Sequence, residues 1–161
     1  VICYFVRHGI AADAEAWEGS DFDRPLTAKG RKQMARVAKR LSRIDIEVDT
    51  IVTSPLLRAK QTAEILADAL GAKKRLIEDD RLGGGFDLRA LAGILRDREG
   101  LSAVMLVGHE PSMSAVSGDV IGGGRLEFKK GAIACVDLFD HDGVPRGELL
   151  WLVTPRTLDA L

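Results

Sequence analysis

Short, wholly apolar runs alternate along this chain with longer stretches in which apolar residues recur at helical spacing. Val1–Val6 (VICYFV) is rich in β-branched and aromatic residues and shows no polar alternation, the pattern of a strand buried on both faces. Asp49–Thr53, Arg75–Glu78 and Ser102–Val107 repeat it. Thr27–Ile44 sets Met34, Val37, Ala38 and Leu41 on one helical face behind an N-capping Thr27. Pro55–Leu70 aligns Leu56, Ala59, Ala63, Leu66 and Leu70, with Ser54 as N-cap, Pro55 as first helical residue and Gly71 as stop. Asp87–Glu99 turns Leu88, Leu91 and Leu95 inward, and Pro111–Ile121 is a further helix interrupted by Gly118. Ala132–Phe139 and Glu148–Val153 read as two closing strands joined by a polar turn, His141–Gly147.

Strands that alternate with helices predict a three-layer α/β/α fold, with a mostly parallel central sheet and an antiparallel edge from the closing pair. No linker, repeat or low-complexity stretch divides residues 1–161, so a single domain is expected. A chain of 17.4 kDa buries about 69% of its surface on folding, leaving roughly 7,900 Å² exposed. That is enough core without disulfides.

Composition narrows the function classes. The 23 Lys and Arg residues against 24 Asp and Glu leave a net charge of −1, which argues against a nucleic-acid binder. The longest clean apolar runs, Ala103–Val107 and Leu149–Val153, are too short to cross a bilayer, and no charged-then-apolar leader opens the chain. Cys3 and Cys135 lie in separate strand-like runs and read as free thiols, as suits a cytoplasmic protein. A monomer is expected. The glycine runs Gly83–Gly85 and Gly122–Gly124 match neither dinucleotide nor P-loop spacing.

In an open α/β sheet, ligands bind beyond the carboxyl ends of the strands. The first strand ends in Arg7-His8-Gly9, the second in Ser54-Pro55 with Arg58 a turn later, and the fourth in Gly108-His109-Glu110-Pro111. Two histidines and two arginines thus converge on one rim, next to two helix N-termini. Guanidinium forks match phosphate oxygens, and a neutral imidazole can attack phosphorus in line. Nearby arginines disfavour the imidazolium and keep that nitrogen free. A lone histidine is more often a surface or satisfied core residue, but two at strand ends are harder to read that way. A metal site completed by Asp13 or Glu110 is disfavoured by the Arg7 cation beside His8. His141 lies in the predicted surface turn and is given no catalytic role.

Val6-Arg7-His8-Gly9 resembles the RHG signature of the histidine phosphatase superfamily, whose fold is that of the phosphoglycerate mutases. Thr53–Ala63 (TSPLLRAKQTA) resembles its second motif and Val107-Gly108-His109 its third. The short chain and Arg24–Gly30 (RPLTAKG) are similar to the small SixA-type phosphohistidine phosphatases. The resemblance implies that His8 is the nucleophile that becomes phosphohistidine, that Arg7 and Arg58 bind phosphate, and that His109 contacts phosphate and stabilises the transition state. It implies no metal and no organic cofactor, a phosphohistidine-bearing protein of a phosphorelay or phosphotransfer chain as partner, and inorganic phosphate as product.

The proton donor is open. Asp80, Asp87 and Glu110 are the candidates. An alkoxide leaving group needs a general acid, whereas a phosphorylated imidazole accepts a proton on its own ring. A site without a firm acid therefore favours P–N over P–O cleavage. The alternatives are a small-molecule phosphomonoesterase with a working acid and a phosphate-recognition module that no longer turns over. A mutase is disfavoured because the chain lacks obvious material for an enclosing pocket.

Overall fold

A computed structural model describes residues 1–161. Six strands form one sheet: β1 (Ile2–Arg7), β2 (Thr50–Thr53), β3 (Leu76–Glu78), β4 (Ala103–Gly108), β5 (Ile133–His141) and β6 (Val144–Val153). Five helices flank it: α1 (Ala28–Leu41), α2 (Leu57–Ala69), α3 (Leu88–Arg96), α4 (Ser112–Val120) and α5 (Pro155–Asp159). The strand order is β3-β2-β4-β1-β5-β6. The first four are mutually parallel, and β5 runs antiparallel to both β1 and β6. This is the mixed three-layer sheet that the pattern predicts.

Pleating divides the core. Tyr4, Val6, Met105 and Val107 point to one face, where they pack with Met34, Val37 and Leu41 of α1, Ala63 and Leu66 of α2 and Leu158 of α5. Cys3, Phe5, Val104 and Leu106 point to the other, against Leu91 and Ile94 of α3 and Met113 and Val116 of α4. Period-two alternation with both faces buried is why these strands read as continuous apolar runs. The total exposed surface is 8416 Å², close to the value expected from chain length. No helix is long and apolar enough to cross a membrane.

Helix starts follow local chemistry. Thr27 Oγ1 accepts from Gly30 N at 2.9 Å and Asp87 Oδ1 from Ala90 N at 2.8 Å. Gly30 has a further role: a side chain there would strike the Ile10 carbonyl oxygen, so α1 docks against the loop after β1 only through glycine.

Three expectations are corrected. Helix α2 begins at Leu57 with Leu56 as N-cap, so Ser54 does not cap it. The closing strands extend into the predicted turn until His141 pairs with Val144, leaving only Asp142 and Gly143 to reverse the chain. Their φ values of 54° and 81° are those of a tight hairpin turn. Pro145 is tolerated in β6 because it is an edge strand, where a missing N–H costs little, and Gly147 lets β6 approach β5 closely, since a Cβ there would lie 2.7 Å from the Asp137 carbonyl oxygen. The pattern also passed over α5, which Thr154 caps and Pro155 opens. Gly118, by contrast, does not interrupt α4. It lets the helix pass close to the following loop, since a Cβ there would lie 2.6 Å from the Gly124 carbonyl oxygen.

Candidate active site

Register builds the site. Arg7 is level with Gly108, and His8 N donates to Gly108 O at 3.0 Å, so His8 and His109 leave adjacent strands side by side. Their rings lie 5.2 Å apart between centroids. Ser54 N donates to Val107 O at 2.9 Å, which places Ser54 on the other side of His109. A cavity of about 560 Å³ opens over these strand ends. It is lined by Arg7, His8, Arg24, Arg58, His109 and Lys130, together with Asp13 and Glu110 and the small residues Ala11, Ala12 and Ala14.

Hydrogen-bond counting fixes the His8 tautomer and favours one for His109. His8 Nδ1 lies 2.7 Å from the Gly9 carbonyl oxygen. A carbonyl only accepts, so Nδ1 carries the proton and Nε2 keeps its lone pair. His109 Nε2 lies 2.7 Å from Ser54 Oγ, which also accepts from Leu56 N at 3.2 Å. Ser54 Oγ has no other partner, so its single hydrogen points at Nε2. Neutral His109 is thereby protonated on Nδ1, a buried nitrogen without a partner in the protein.

Both rings are held neutral. Burial lowers the His8 pKa to about 3, helped by His109, Arg58 and Arg7 and opposed by the bond to Gly9 O. Burial likewise lowers His109 to about 4, with Arg58 and Arg24 assisting and Asp21 opposing.

The guanidinium groups are anchored from behind. Arg7 Nη1 donates to Phe128 O at 2.8 Å. Arg58 is buried and donates from Nη1 to Asp21 O at 2.9 Å and from Nη2 to Asp21 Oδ2 at 3.2 Å. Arg24 donates from Nε to Asp21 Oδ1 at 3.0 Å and from Nη1 to Ala12 O at 2.7 Å. The Nε atoms of Arg7 and Arg58 are buried without partners, like His109 Nδ1. Unmet donors of this kind suit an anion with several acceptor oxygens. Thr62 ties α2 to β1: its Oγ1 accepts from Gly9 N at 3.1 Å and donates to Arg58 O at 2.8 Å.

The predicted site residues thus divide. His8, His109, Arg7, Arg58 and Glu110 line one cavity, while Asp80 and Asp87 do not. Asp80 is exposed in a short turn, Asp80–Leu82. Asp87 is occupied as the α3 cap. Glu110 reaches the rim, but its carboxylate accepts from Ser114 N at 2.8 Å and Ser114 Oγ at 2.6 Å. Asp13 accepts from Glu15 N at 3.0 Å within its own loop. No cluster of three His, Cys, Asp or Glu side chains is placed to hold a metal ion. Residue-by-residue reasoning on strand ends missed Arg24, Lys130 and the Asp21 clamp, all on loops that fold back over the sheet. For Asp21 and Arg24 the polar stretch after the first strand was the available signal, and for Lys130 the Lys129-Lys130-Gly131 turn before β5.

Two neutral imidazoles among guanidinium groups at the strand ends of this α/β fold define a phosphatase. The chain belongs to the histidine phosphatase superfamily (branch 1), whose family model matches residues 3–83. It is 43% identical over 113 residues to an uncharacterised protein of Picosynechococcus sp., covering 68% of this chain and 67% of that one. It is 29% identical over 158 residues to the phosphohistidine phosphatase SixA of Escherichia coli K12, covering 96% and 94% of the two chains. The solved structure of the protein histidine phosphatase SixA complexed with tungstate superimposes with a TM-score of 0.85 at 29% identity, covering 98% of this chain and 99% of that one.

Proposed function

We propose that the protein removes the phosphoryl group from a phosphorylated histidine on another protein, through a phosphohistidine intermediate on His8. His8 Nε2 attacks phosphorus, and the P–N bond to the substrate imidazole breaks. That imidazole takes up a proton from solvent on its ring and leaves as the neutral imidazole. Water then attacks the phosphoryl group on His8 and releases inorganic phosphate. Arg7, Arg58 and Arg24 bind the equatorial oxygens where charge spreads, and His109 donates to one of them from Nδ1. The likeness to SixA, a phosphohistidine phosphatase solved with a tetrahedral oxyanion, supports this reading.

The observation that carries the choice of P–N over P–O cleavage is that both carboxylates lining the cavity already accept hydrogen bonds from their own segments, Glu110 through both oxygens and Asp13 through Oδ1. Glu110 is held by Ser114 and Asp13 by its own loop. An ester needs a general acid there, and a phosphohistidine brings its own proton acceptor. Two buried free thiols, Cys3 and Cys135, suit a reducing cytoplasm.

Phosphate release from a phosphohistidine peptide, a phosphoserine peptide and an aryl phosphate tests the reading. Fast release from phosphohistidine alone is expected. Release mainly from the esters would give the small-molecule phosphomonoesterase the lead, and Glu110→Gln would then be the first variant to examine. Tight binding of the phosphohistidine peptide with no release would instead mark a recognition module.

A further inference from the structure

We propose that a basic hollow beside the His8 cavity receives carboxylates that flank the phosphohistidine on the substrate protein. The proposal rests on the phosphohistidine reading above. The hollow, of about 440 Å³, is lined by Arg7, Lys129, Lys130 and Arg156 and by no acidic residue. It shares Arg7 and Lys130 with the 560 Å³ cavity, so the two adjoin. Lys129 pairs with Glu127 at 2.6 Å, while Lys130 and Arg156 have no carboxylate partner in the chain. In a molecule of net charge −1, that is a local excess of cations facing one opening.

The cations are held in register with the catalytic strand. Gly131 N donates to His8 O at 3.0 Å, and Ala132 N closes the turn onto Lys129 O at 2.8 Å. A Cβ on Gly131 would lie 2.9 Å from Pro155 Cγ, so this turn rests on the start of α5, which carries Arg156. The two basic segments therefore brace each other beside His8.

The loop that brings Asp13 to the cavity has the opposite sign. Residues 13–23 (DAEAWEGSDFD) hold Asp13, Glu15, Glu18, Asp21 and Asp23 and no lysine or arginine. A ligand confined to the cavity would not span both the hollow and this loop. A protein surface would, and a basic side facing an acidic side fixes its orientation. The residues next to the phosphohistidine on the basic side are then acidic.

Two phosphohistidine peptides that differ only in flanking residues, glutamate in one and glutamine in the other, test this. The wild type should favour the glutamate peptide by about fivefold in kcat/KM at low salt, and the preference should fade at high salt. The double variant Lys129→Glu, Arg156→Glu should abolish or invert the preference while hydrolysing phosphoramidate, a small P–N substrate, at the wild-type rate. Equal turnover of the two peptides by the wild type, or a preference that survives charge reversal, would overturn the docking proposal alone. A parallel fall on phosphoramidate would also overturn it, by showing that these cations serve the catalytic centre. Release from neither peptide would overturn the phosphohistidine reading and the docking proposal together.

Discussion

Replacing Ser54 with alanine removes two hydrogen bonds and with them the group that favours one His109 tautomer. The hydroxyl is fully buried, 2.7 Å from His109 Nε2, and accepts from Leu56 N. Its loss leaves an imidazole nitrogen and a backbone N–H without partners, at a cost of about 2–4 kcal/mol in stability. The catalytic effect is separate. On the proposed mechanism His109 donates to the phosphoryl group from Nδ1; without Ser54 the proton is free to move to Nε2, and the transition state would lose that donor. A lost donor to a developing anion costs about 10²–10³ in kcat, so kcat should fall in proportion to the fraction of His109 rings that give up the Nδ1 proton, and about tenfold if nine rings in ten do. The assay is kcat on phosphoramidate, paired with nitrogen-15 NMR of the His109 ring. The wild type should show a protonated Nδ1 and a bare Nε2, and Ser54→Ala a shift towards protonated Nε2. A variant that folds, keeps the wild-type ring spectrum and keeps wild-type kcat would refute the argument.

Other consequences follow from the same geometry. Arg58→Ala should lower kcat/KM at least about tenfold, since a charge-assisted hydrogen bond contributes about 1.5–3 kcal/mol; steady-state kinetics at wild-type values would remove Arg58 from the phosphate site. Asp21 spans Arg24 and Arg58, and their hydrogen bonds, Arg24's first, hold its carboxyl below the usual range. Asp21→Asn should therefore tighten inhibition by inorganic phosphate severalfold, whereas weaker inhibition would show that the carboxylate chiefly positions Arg58. Unfolded histidine takes up a proton near pH 6.5, while His8 and His109 resist it down to about 3 and about 4. The unfolded state thus binds more protons as pH falls, and urea unfolding should show a loss of stability of a few kcal/mol between pH 6.5 and 4. His8→Asn should flatten that slope, and a pH-independent midpoint in the wild type would count against neutral buried rings.

Much of this fold is legible because its strands are buried on both faces. Val1–Val6 and Ser102–Val107 leave no room for another reading, and their ends carry His8 and His109 into register. Boundaries blur where one residue serves two purposes. Ser54 before Pro55 looks like a helix cap, yet its hydroxyl is spent on His109 and α2 starts later. Pro145 looks like a turn residue, yet it lies on a sheet edge that tolerates it. The Arg24–Asp21–Arg58 clamp is invisible to local patterns because Arg58 lies 37 residues from Asp21 and they meet only once the loop has folded over the sheet.

The nucleophile is the centre of the account, and its chemistry leaves a mark that can be mapped. The protein would be quenched in alkali during turnover of a labelled phosphohistidine peptide, digested, and the labelled position read by mass spectrometry and phosphorus-31 NMR. Because Nδ1 of His8 is committed to the Gly9 carbonyl oxygen, a base-stable, acid-labile phosphoryl group should appear on Nε2 of His8 and be absent from His8→Ala. A phosphoryl group on His109, on Nδ1 of His8, or on no residue during active turnover would contradict it.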